Sequence, residues 1–220
     1  QPTLHGLASV EVVAVLGDHL TPDMEVEVAL RNNDIPVEFP DEVLTDVDQL
    51  PFEVKPAQKR RREDLTHLDF VTIDGEDARD FDDAVYCEKR RGGYRLFVAI
   101  ADVAHYVQKS TRLDSTARAR ATSVYLPHAV LPMLPPRLAD DLCSLRADVD
   151  RLAMVISMTI EDSEIVETSA FEAVIKVKQN LAYEDALDNP EFKAMFDLAA
   201  IWQQKEIRLN IHNAEMRPRI

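Results

Sequence analysis

Residues 72–84 read TIDGEDARDFDDA, and this short stretch contains six carboxylates. Carboxylates this close repel one another, and each raises the pKa of its neighbours unless a cation or several hydrogen-bond donors keep them ionised. Oxygen-only ligand sets suit Mg²⁺ or Mn²⁺, and Mg²⁺ is usually held by one or two carboxylates together with substrate phosphates. The stretch therefore predicts a divalent-metal site for phosphate chemistry, formed by Asp74, Asp80, Asp82 and Asp83.

A solvated acidic loop is the first alternative for this stretch, because charge runs usually face water. The flanking residues argue against it: FVTI precedes Asp74 and AVY follows Asp83, and such apolar, β-prone residues predict two strands that hold the loop between them. An EF-hand calcium loop is the second alternative. Its required ligands never coincide with a glycine at the sixth position when counting starts at Asp74, Asp77 or Asp80.

The backbone limits how the four aspartates converge. In an extended segment Asp80 and Asp82 share one face and Asp83 points to the other, because side chains alternate along a strand. All four meet only if the backbone is irregular, and Gly75 allows this because glycine adopts positive φ at no steric cost. The residues alone thus predict a site for one or two divalent ions.

The whole chain has 220 residues and a mass of 24.9 kDa, which is enough for one or two domains with a core. It has no apolar run of about 20 residues that would cross a bilayer. It begins with Gln-Pro-Thr and has no secretory leader pattern, so we expect a fragment rather than a precursor. Cys87 and Cys143 lack zinc-ligand spacing and fit a reducing compartment, which favours a cytoplasmic location.

The net charge of −15 counts against simple nucleic-acid binding, which depends on lysine and arginine neutralising phosphates. Either metal ions supply positive charge locally while basic surfaces lie elsewhere in the protein, or the chain does not bind nucleic acid. An acidic protein-interaction domain is the corresponding alternative function.

The N-terminal part predicts two paired strands, residues 8–16 (ASVEVVAVL) and 24–30 (MEVEVAL), with a turn at Gly17. A short acidic helix follows in residues 38–50, beginning near Pro40, with Val43, Leu44 and Val47 buried. The basic run KRRR at 59–62 is either an exposed linker or a phosphate contact, and we favour the linker. This pattern places a domain boundary near residues 55–63.

Further along, residues 94–107 predict a strand with a bend after Ile100, paired with the strand from Asp83 through a turn at Gly92. Asp102 and His105 are either partners of the metal ligands or structural residues. Other predicted elements are a helix over 113–121, a rigid Leu-Pro-rich loop without regular helix until after Pro136, paired strands over 152–160 and 168–177, and helical periodicity over 183–209. Tyr125 in the loop is a candidate for stacking on a base, or packs in the turn.

Four segments together resemble the ribonuclease II and ribonuclease R family, whose catalytic domain is called RNB. They are DLTHLDFVTIDGEDARDFDDAV (64–85), FVAIADVAHYV (97–107), RATSVYLPHAVLPMLPPRLADDLCSL (120–145) and RLAMVISMTI (151–160). The sequence DARDFDD resembles the ribonuclease R branch more than the ribonuclease II branch. The resemblance covers roughly residues 64–188, and residues 1–50 resemble the end of a cold-shock domain.

The resemblance implies an α+β fold with a mixed, largely antiparallel sheet and flanking helices, preceded by a remnant of an OB/cold-shock β-barrel. The implied domains are 1–50 (end of the cold-shock domain), 51–63 (linker) and 64–220 (a truncated N-terminal part of RNB). The implied activity is 3′→5′ hydrolysis of single-stranded RNA to nucleoside 5′-monophosphates with Mg²⁺, or with Mn²⁺ in its place. The resemblance also implies a protein that does not bind membranes.

By the same resemblance, Asp74, Asp80, Asp82 and Asp83 match the catalytic, metal-binding aspartates, with Asp74 and Asp83 as direct ligands and Asp82 most critical for the chemical step. Tyr125 matches the aromatic residue that stacks on the 3′-terminal nucleotide. The parent protein is expected to be monomeric and to contain the rest of the RNB domain and an S1 domain. We therefore expect the chain alone to bind RNA weakly and to hydrolyse it slowly or not at all. The alternative is a non-catalytic RNA-binding or protein-interaction module.

Overall fold

The computed structural model describes residues 21–126, 130–187 and 189–205, together with positions 12 and 15. The chain divides into two compact units, residues 1–39 and residues 40–220. Among the described residues, no helix is long and apolar enough to span a membrane. Cys87 and Cys143 are both free thiols.

The first unit contains one described helix, α1 (Pro22–Asn32). The predicted strand over residues 24–30 is therefore wrong. Thr21 lies in extended backbone before the helix, its hydroxyl accepts a hydrogen bond from the Met24 backbone N–H, and Pro22 occupies the first turn. These start signals, with an Arg31–Glu27 ion pair one turn apart, outweigh the alternating pattern. The predicted strand over 8–16 lies outside the described residues, apart from positions 12 and 15.

The second unit is built on a six-stranded sheet with the strand order β1-β8-β2-β3-β4-β7. The strands are β1 (Glu63–Asp64), β2 (Phe70–Asp74), β3 (Asp83–Arg90), β4 (Gly93–Ala101), β7 (Asp150–Glu161) and β8 (Glu164–Ala182), and a separate pair joins β5 (Val124–Tyr125) to β6 (Val130–Leu131). The long strand β8 pairs antiparallel with β7 in its first part and parallel with β2 in its last part. The sheet therefore closes on itself.

Short helices flank this sheet and confirm the α+β prediction. They are α2 (Asp41–Asp48), α3 (Pro56–Lys59), α4 (Val103–Tyr106), α5 (Arg112–Arg120), a π-helix (Arg137–Leu142), α6 (Tyr183–Leu187), a 3₁₀ turn (Pro190–Phe192) and α7 (Lys193–Lys205). The sheet is mixed because β8 runs parallel to β1 and β2, whereas its other pairings are antiparallel.

The main core lies on one face of the sheet. Phe70, Tyr86 and Phe97 form an aromatic cluster there, with ring centroids 6.0 to 6.5 Å apart. Helix α2 packs on this core through Val43 and Val47, as predicted. The prediction for Leu44 is wrong: this side chain is 38% exposed, because it lies between the two valines and faces away from the core.

A second cluster lies under α7, where Leu198 packs on Tyr94, Leu96 and Ile160. The predicted hairpin from Asp83 through the Gly92 turn is present as β3 and β4, but β4 ends at Ala101, so the predicted strand over 94–107 is wrong for residues 103–106, which form α4. The predicted strand pair of 152–160 and 168–177 is present as β7 and β8. The helical periodicity predicted over 183–209 is present as α6 and α7, which the 3₁₀ turn separates, and residues 206–209 lie outside the described residues.

Two more local predictions are confirmed in the middle of the chain. Helix α5 agrees with the helix predicted over 113–121 to within one residue at each end, and its N-cap is Thr111, whose hydroxyl accepts a hydrogen bond from the Asp114 backbone N–H. The described parts of the Leu-Pro-rich loop, up to residue 126 and from 130 onward, contain no regular helix before Pro136, and the π-helix begins at the next residue.

The basic run at 59–62 is divided between surface and interior. Arg60 and Arg61 are exposed, but Lys59 forms an ion pair with Asp150. Arg62 is 5% exposed in its side chain and pairs with Asp102 at 2.5 Å. Arg62 therefore belongs to the folded second unit and is not a linker residue. The predicted limits of the domains stay a prediction.

Candidate active site

The two strands that were predicted to hold the acidic loop are neighbours in the sheet. Asp74 is the last residue of β2, and Asp83 is the first residue of β3, which runs antiparallel to β2. Both therefore lie at the same edge of the sheet. Asp80 and Asp82 lie in the connecting segment, where the Ala78 N–H donates to the Gly75 carbonyl at 3.0 Å and turns the chain.

The connecting segment is fixed by backbone hydrogen bonds to two other parts of the fold. The Leu145 N–H donates to the Phe81 carbonyl at 2.7 Å, and the Ala101 N–H donates to the Asp82 carbonyl at 2.8 Å. The aromatic ring of Phe81 packs against the main core. The aspartates therefore project from a restrained backbone rather than from a free surface loop.

The electrostatics of the four aspartates are those of a site without enough positive charge. Burial raises the pKa of Asp74, and the charges of Asp83, Asp82 and Asp80 raise it further. Partial loss of hydration raises the pKa of Asp83, with a second contribution from Asp82. Within the described ranges, no ion pair involves any of the four. Asp74 thus lies within electrostatic range of the other three predicted residues, and we call these four residues the acidic cluster.

The donor chemistry of this cluster fits a hard divalent cation. The Oδ2 atom of Asp74 is buried and has no hydrogen-bond partner, and such an atom is costly unless something satisfies it. The side-chain atoms of the acidic cluster that could bind a metal are all carboxylate oxygens, which Mg²⁺ and Mn²⁺ prefer as ligands. In the part of the chain that the structure describes, no group of three acidic, histidine or cysteine side chains is already gathered at ligand spacing. Only the residue types and the unsatisfied oxygen therefore indicate a metal.

Tyr125 lies beside the acidic cluster, on the short strand β5. The charge of Asp80 raises the pKa of the Tyr125 hydroxyl, with smaller contributions from burial, from a hydrogen bond to Asp80 and from the charge of Asp82. Its side chain is nevertheless exposed, at 71% for the residue. The hydroxyl thus lies within reach of the charge of Asp80, and the exposed ring is available for stacking.

Asp102 and His105 have structural partners instead. Asp102 caps α4 by accepting from the His105 backbone N–H at 3.1 Å, and its other oxygen binds Arg62. The His105 Nε2 atom lies 2.6 Å from the Gln58 side-chain amide nitrogen. These contacts support the structural interpretation of both residues.

The sequence interpretation missed a fifth carboxylate near the site, Asp140. Burial raises its pKa first, the charge of Asp80 raises it further, and Arg79 opposes both. Asp140 lies on the π-helix, a rare element that occurs frequently at functional sites. No local pattern places it near Asp80, because the two residues are 60 positions apart in sequence and meet only through the fold.

Comparison with known proteins agrees with this geometry. The RNB domain family model matches residues 62–195, and the cold shock domain model matches residues 1–40. Ribonuclease R of Escherichia coli is 50% identical over 185 residues, which cover 83% of this chain and 23% of that protein. Ribonuclease R of Vibrio cholerae is 51% identical over 175 residues, covering 79% of this chain and 21% of that protein.

Solved structures give the same family. Mycoplasma genitalium RNase R in complex with ribose-methylated single-stranded RNA superposes with a TM-score of 0.78 and 32% identity, covering 84% of this chain and 31% of that one. The yeast pseudonuclease Ssd1 shares the fold alone, with a TM-score of 0.70 and 18% identity over 87% of this chain and 26% of that one. The chain spans about a quarter of the length of the curated relatives it matches. Since the RNB match covers more than half of the residues, the chain belongs to the RNB domain family.

Proposed function

We propose that this chain is the metal-binding catalytic segment of a 3′→5′ exoribonuclease that hydrolyses single-stranded RNA to nucleoside 5′-monophosphates. The observation that carries the proposal is the acidic cluster at the β2–β3 edge, with a buried and unsatisfied Asp74 oxygen and with the exposed Tyr125 close enough to feel the charge of Asp80. Membership of the RNB domain family supports it, as do relatives named ribonuclease R.

The four aspartates would hold Mg²⁺, or Mn²⁺ in its place. Asp74 and Asp83 are the proposed direct ligands, because they end and begin neighbouring strands and are the two whose ionisation the fold opposes most clearly. Asp82 lies next to Asp83 and is the proposed critical residue for the chemical step. A bound divalent ion supplies Lewis-acid activation of water and stabilises charge on the phosphate in such sites.

Tyr125 would bind the end of the RNA by stacking its ring on the 3′-terminal base. Stacking accepts every base, because every base has a π-face, so hydrolysis should depend little on sequence. Because the Tyr125 hydroxyl lies close enough to Asp80 to feel its charge, the stacked nucleotide would lie beside the acidic cluster.

The net charge of −15 means that the chain offers RNA little electrostatic attraction of its own. We propose that the remaining RNB segment and an S1 domain of a longer, monomeric, cytoplasmic protein provide most of the RNA affinity. A solved relative bound to double-stranded RNA shows that a neighbour in this family contacts structured RNA as well. The isolated chain should therefore hydrolyse RNA slowly.

The alternative function is a non-catalytic RNA-binding or protein-interaction module. The fold permits it, because a pseudonuclease has the same fold. The acidic cluster argues against it: a site without turnover gains nothing from keeping four mutually repelling aspartates at one edge of the sheet, one of them with a buried, unsatisfied oxygen.

A single-turnover assay tests the proposed activity. Chain in excess over a 5′-labelled single-stranded RNA, with Mg²⁺ or Mn²⁺, should shorten the RNA stepwise from its 3′ end. Asp82→Asn should slow this by at least about 100-fold, the usual effect of losing one preorganised electrostatic group. Asp162→Asn is the matched control, because Asp162 lies in the β7–β8 turn at a φ of 46° that asparagine also adopts. Equal rates for Asp82→Asn and wild type would contradict the proposal.

A further inference from the structure

We propose that Ser144 and Asn180 are positioning residues that hold the Asp80–Asp82 segment and the end of β2 in fixed relation, so that the acidic cluster can bind metal. We call these two residues, with their hydrogen bonds, the polar network. This inference rests on the proposed function, because it assigns the polar network a role toward the aspartates.

Ser144 contacts the backbone on both sides of Asp80. Its hydroxyl donates to the Arg79 carbonyl at 2.6 Å and accepts from the Phe81 N–H at 3.2 Å. The residue is 1% exposed, so water does not compete for these bonds. With the adjacent bond from the Leu145 N–H to the Phe81 carbonyl, two successive residues fix the backbone that carries Asp80.

Asn180 connects the same segment to β2. Its side-chain amide donates to the Thr72 hydroxyl at 2.8 Å and to the Leu145 carbonyl at 3.0 Å, and its oxygen accepts from the Ala147 N–H at 2.8 Å. Thr72 is fully buried and precedes Asp74 by two residues on β2. The amide of Asn180 therefore joins the strand of Asp74 to the residues that hold Asp80.

A buried arginine, Arg151, holds the backbone of Ser144 in the polar network. Arg151 is 2% exposed; its Nε donates to the Ser144 carbonyl at 2.9 Å, and its terminal nitrogen binds Asp141 at 2.8 Å. The backbone of Ser144 is thus bound by a charge-assisted contact while its hydroxyl holds the acidic segment. Such contacts are stronger than hydrogen bonds between neutral groups.

The acidic cluster needs this restraint for a physical reason. The aspartates repel one another and form no ion pair with any basic residue in the described part of the chain, so their side chains do not draw β2 and the connecting segment together. Residues that orient metal ligands without touching the metal typically change metal affinity or activity by about 10- to 100-fold when mutated. The polar network is placed to act in this way.

Mn²⁺ calorimetry and amide hydrogen exchange on the 220-residue chain test the inference. Ser144→Ala should weaken Mn²⁺ binding by about 10-fold or more and should speed exchange of the Phe81 amide, which loses its acceptor. Asn180→Ala should weaken Mn²⁺ binding similarly through loss of the Thr72 contact. If Asn180→Ala fails to fold, the Ser144→Ala result decides.

Ser157→Ala is the matched control. Ser157 is 4% exposed, lies on β7 and accepts a hydrogen bond from Arg95, so its loss is also the loss of a buried hydroxyl. A purely structural role for Ser144 predicts that both variants lower the melting temperature and leave Mn²⁺ affinity unchanged. A positioning role predicts that only Ser144→Ala weakens Mn²⁺ binding.

The outcomes separate this inference from the proposed function. If Mn²⁺ binds the wild type and Asp82→Asn abolishes this binding, but Ser144→Ala and Asn180→Ala bind within about twofold of wild type, the polar network has no positioning role. If the wild type does not bind Mn²⁺, or if Asp82→Asn binds Mn²⁺ as tightly as the wild type does, the proposed metal site is wrong. The role of the polar network toward that site is then overturned as well.

Discussion

Two groups of aspartates in the second unit differ in their partners. Asp102, Asp141 and Asp150 each pair with a basic residue, namely Arg62, Arg151 and Lys59. Asp74, Asp80, Asp82 and Asp83 have no such pair among the described residues, and burial, followed by the charges of the other three, raises the pKa of Asp74. The difference separates carboxylates that hold the fold together from carboxylates that oppose folding.

This contrast indicates where the chain keeps residues for reasons other than stability. A fold selected for stability alone would not place four unpaired acids at one sheet edge, and a cation is what converts their repulsion into binding. We therefore expect substitutions in the paired group to reduce stability and substitutions in the unpaired group to increase it when no metal is present.

The largest effect is expected from Asp102. Asp102→Asn keeps a side-chain cap for α4 but leaves the buried Arg62 guanidinium with only the longer contact to the exposed Glu172 carboxylate at 3.5 Å. Breaking a buried pair in this way costs about 3 to 5 kcal/mol, so the free energy of unfolding in urea should fall by that amount. Arg62→Met combined with Asp102→Leu should recover most of the loss. A change below about 1 kcal/mol for Asp102→Asn would place this pair in the class of weak surface bridges.

The opposite sign is expected for Asp74. Asp74→Asn removes one of the repelling charges, so in EDTA at neutral pH the free energy of unfolding should rise by on the order of 1 kcal/mol, the size of a like-charge repulsion at a partly hydrated site. Asp162→Asn, an exposed acid outside the cluster, should change it little. Destabilisation by Asp74→Asn would show that a contact missing from this account holds the carboxylate.

A smaller effect should appear in the pH dependence. The pKa of Asp74 in the folded chain is raised above its ordinary value of 3.8, so the folded state binds the proton more tightly. Stability in EDTA should therefore be lost as the pH rises through the raised pKa, and Asp74→Asn should lack this loss. The difference between the two proteins in urea melts should shrink as the pH falls toward 3.8. A difference independent of pH would contradict the electrostatic cause.

Asp150 shows the reverse dependence. Burial alone would raise its pKa, but the hydrogen bond and charge of Lys59 and the contact with Lys176 outweigh burial and lower it. Asp150 therefore contributes stability that is present above pH 3.8 and is lost as the pH falls through the lowered pKa. Asp150→Asn should remove this loss of stability at low pH. The contribution of Asp74 to stability should therefore change above pH 3.8, and the contribution of Asp150 should change below it.

The smallest effect is expected at an exposed pair. Arg112 binds Asp46 at 2.7 Å, with the two side chains 62% and 38% exposed. Arg112→Gln should change the free energy of unfolding by about 0.5 kcal/mol or less, and added salt should reduce even this change. A loss comparable to that of Asp102→Asn would mean that pairing, not burial, decides the cost.

The strands that hold the acidic loop could be predicted because the decisive patterns are local, whereas metal binding by the four aspartates stays a prediction. The apolar residues on both sides of the aspartates and the glycine turn after Arg90 define β2, β3 and β4, and these strands fix the ends of the acidic loop. The stacking role of Tyr125 was undecided from its neighbours alone, followed only from the family resemblance, and stays a prediction.

The failures have two physical causes. At residues 24–30 an alternating pattern competed with helix-start residues, and the cap at Thr21 determined the outcome. Asp140, Ser144 and Asn180 were missed because their contacts join residues far apart in the chain. The Ser144 hydroxyl, for example, donates to the backbone carbonyl of Arg79, which lies 65 positions away in the sequence, and no periodic sequence pattern predicts such a contact.

Calorimetric titration of Mg²⁺ or Mn²⁺ into the chain, Asp82→Asn and Asp83→Asn tests the central claim most directly. The account predicts a binding heat for the wild type that is lost or much reduced in both variants and is unchanged in Asp162→Asn. Binding heat that persists unchanged in Asp82→Asn and Asp83→Asn would contradict it, because the unpaired aspartates would then have no role in holding a metal.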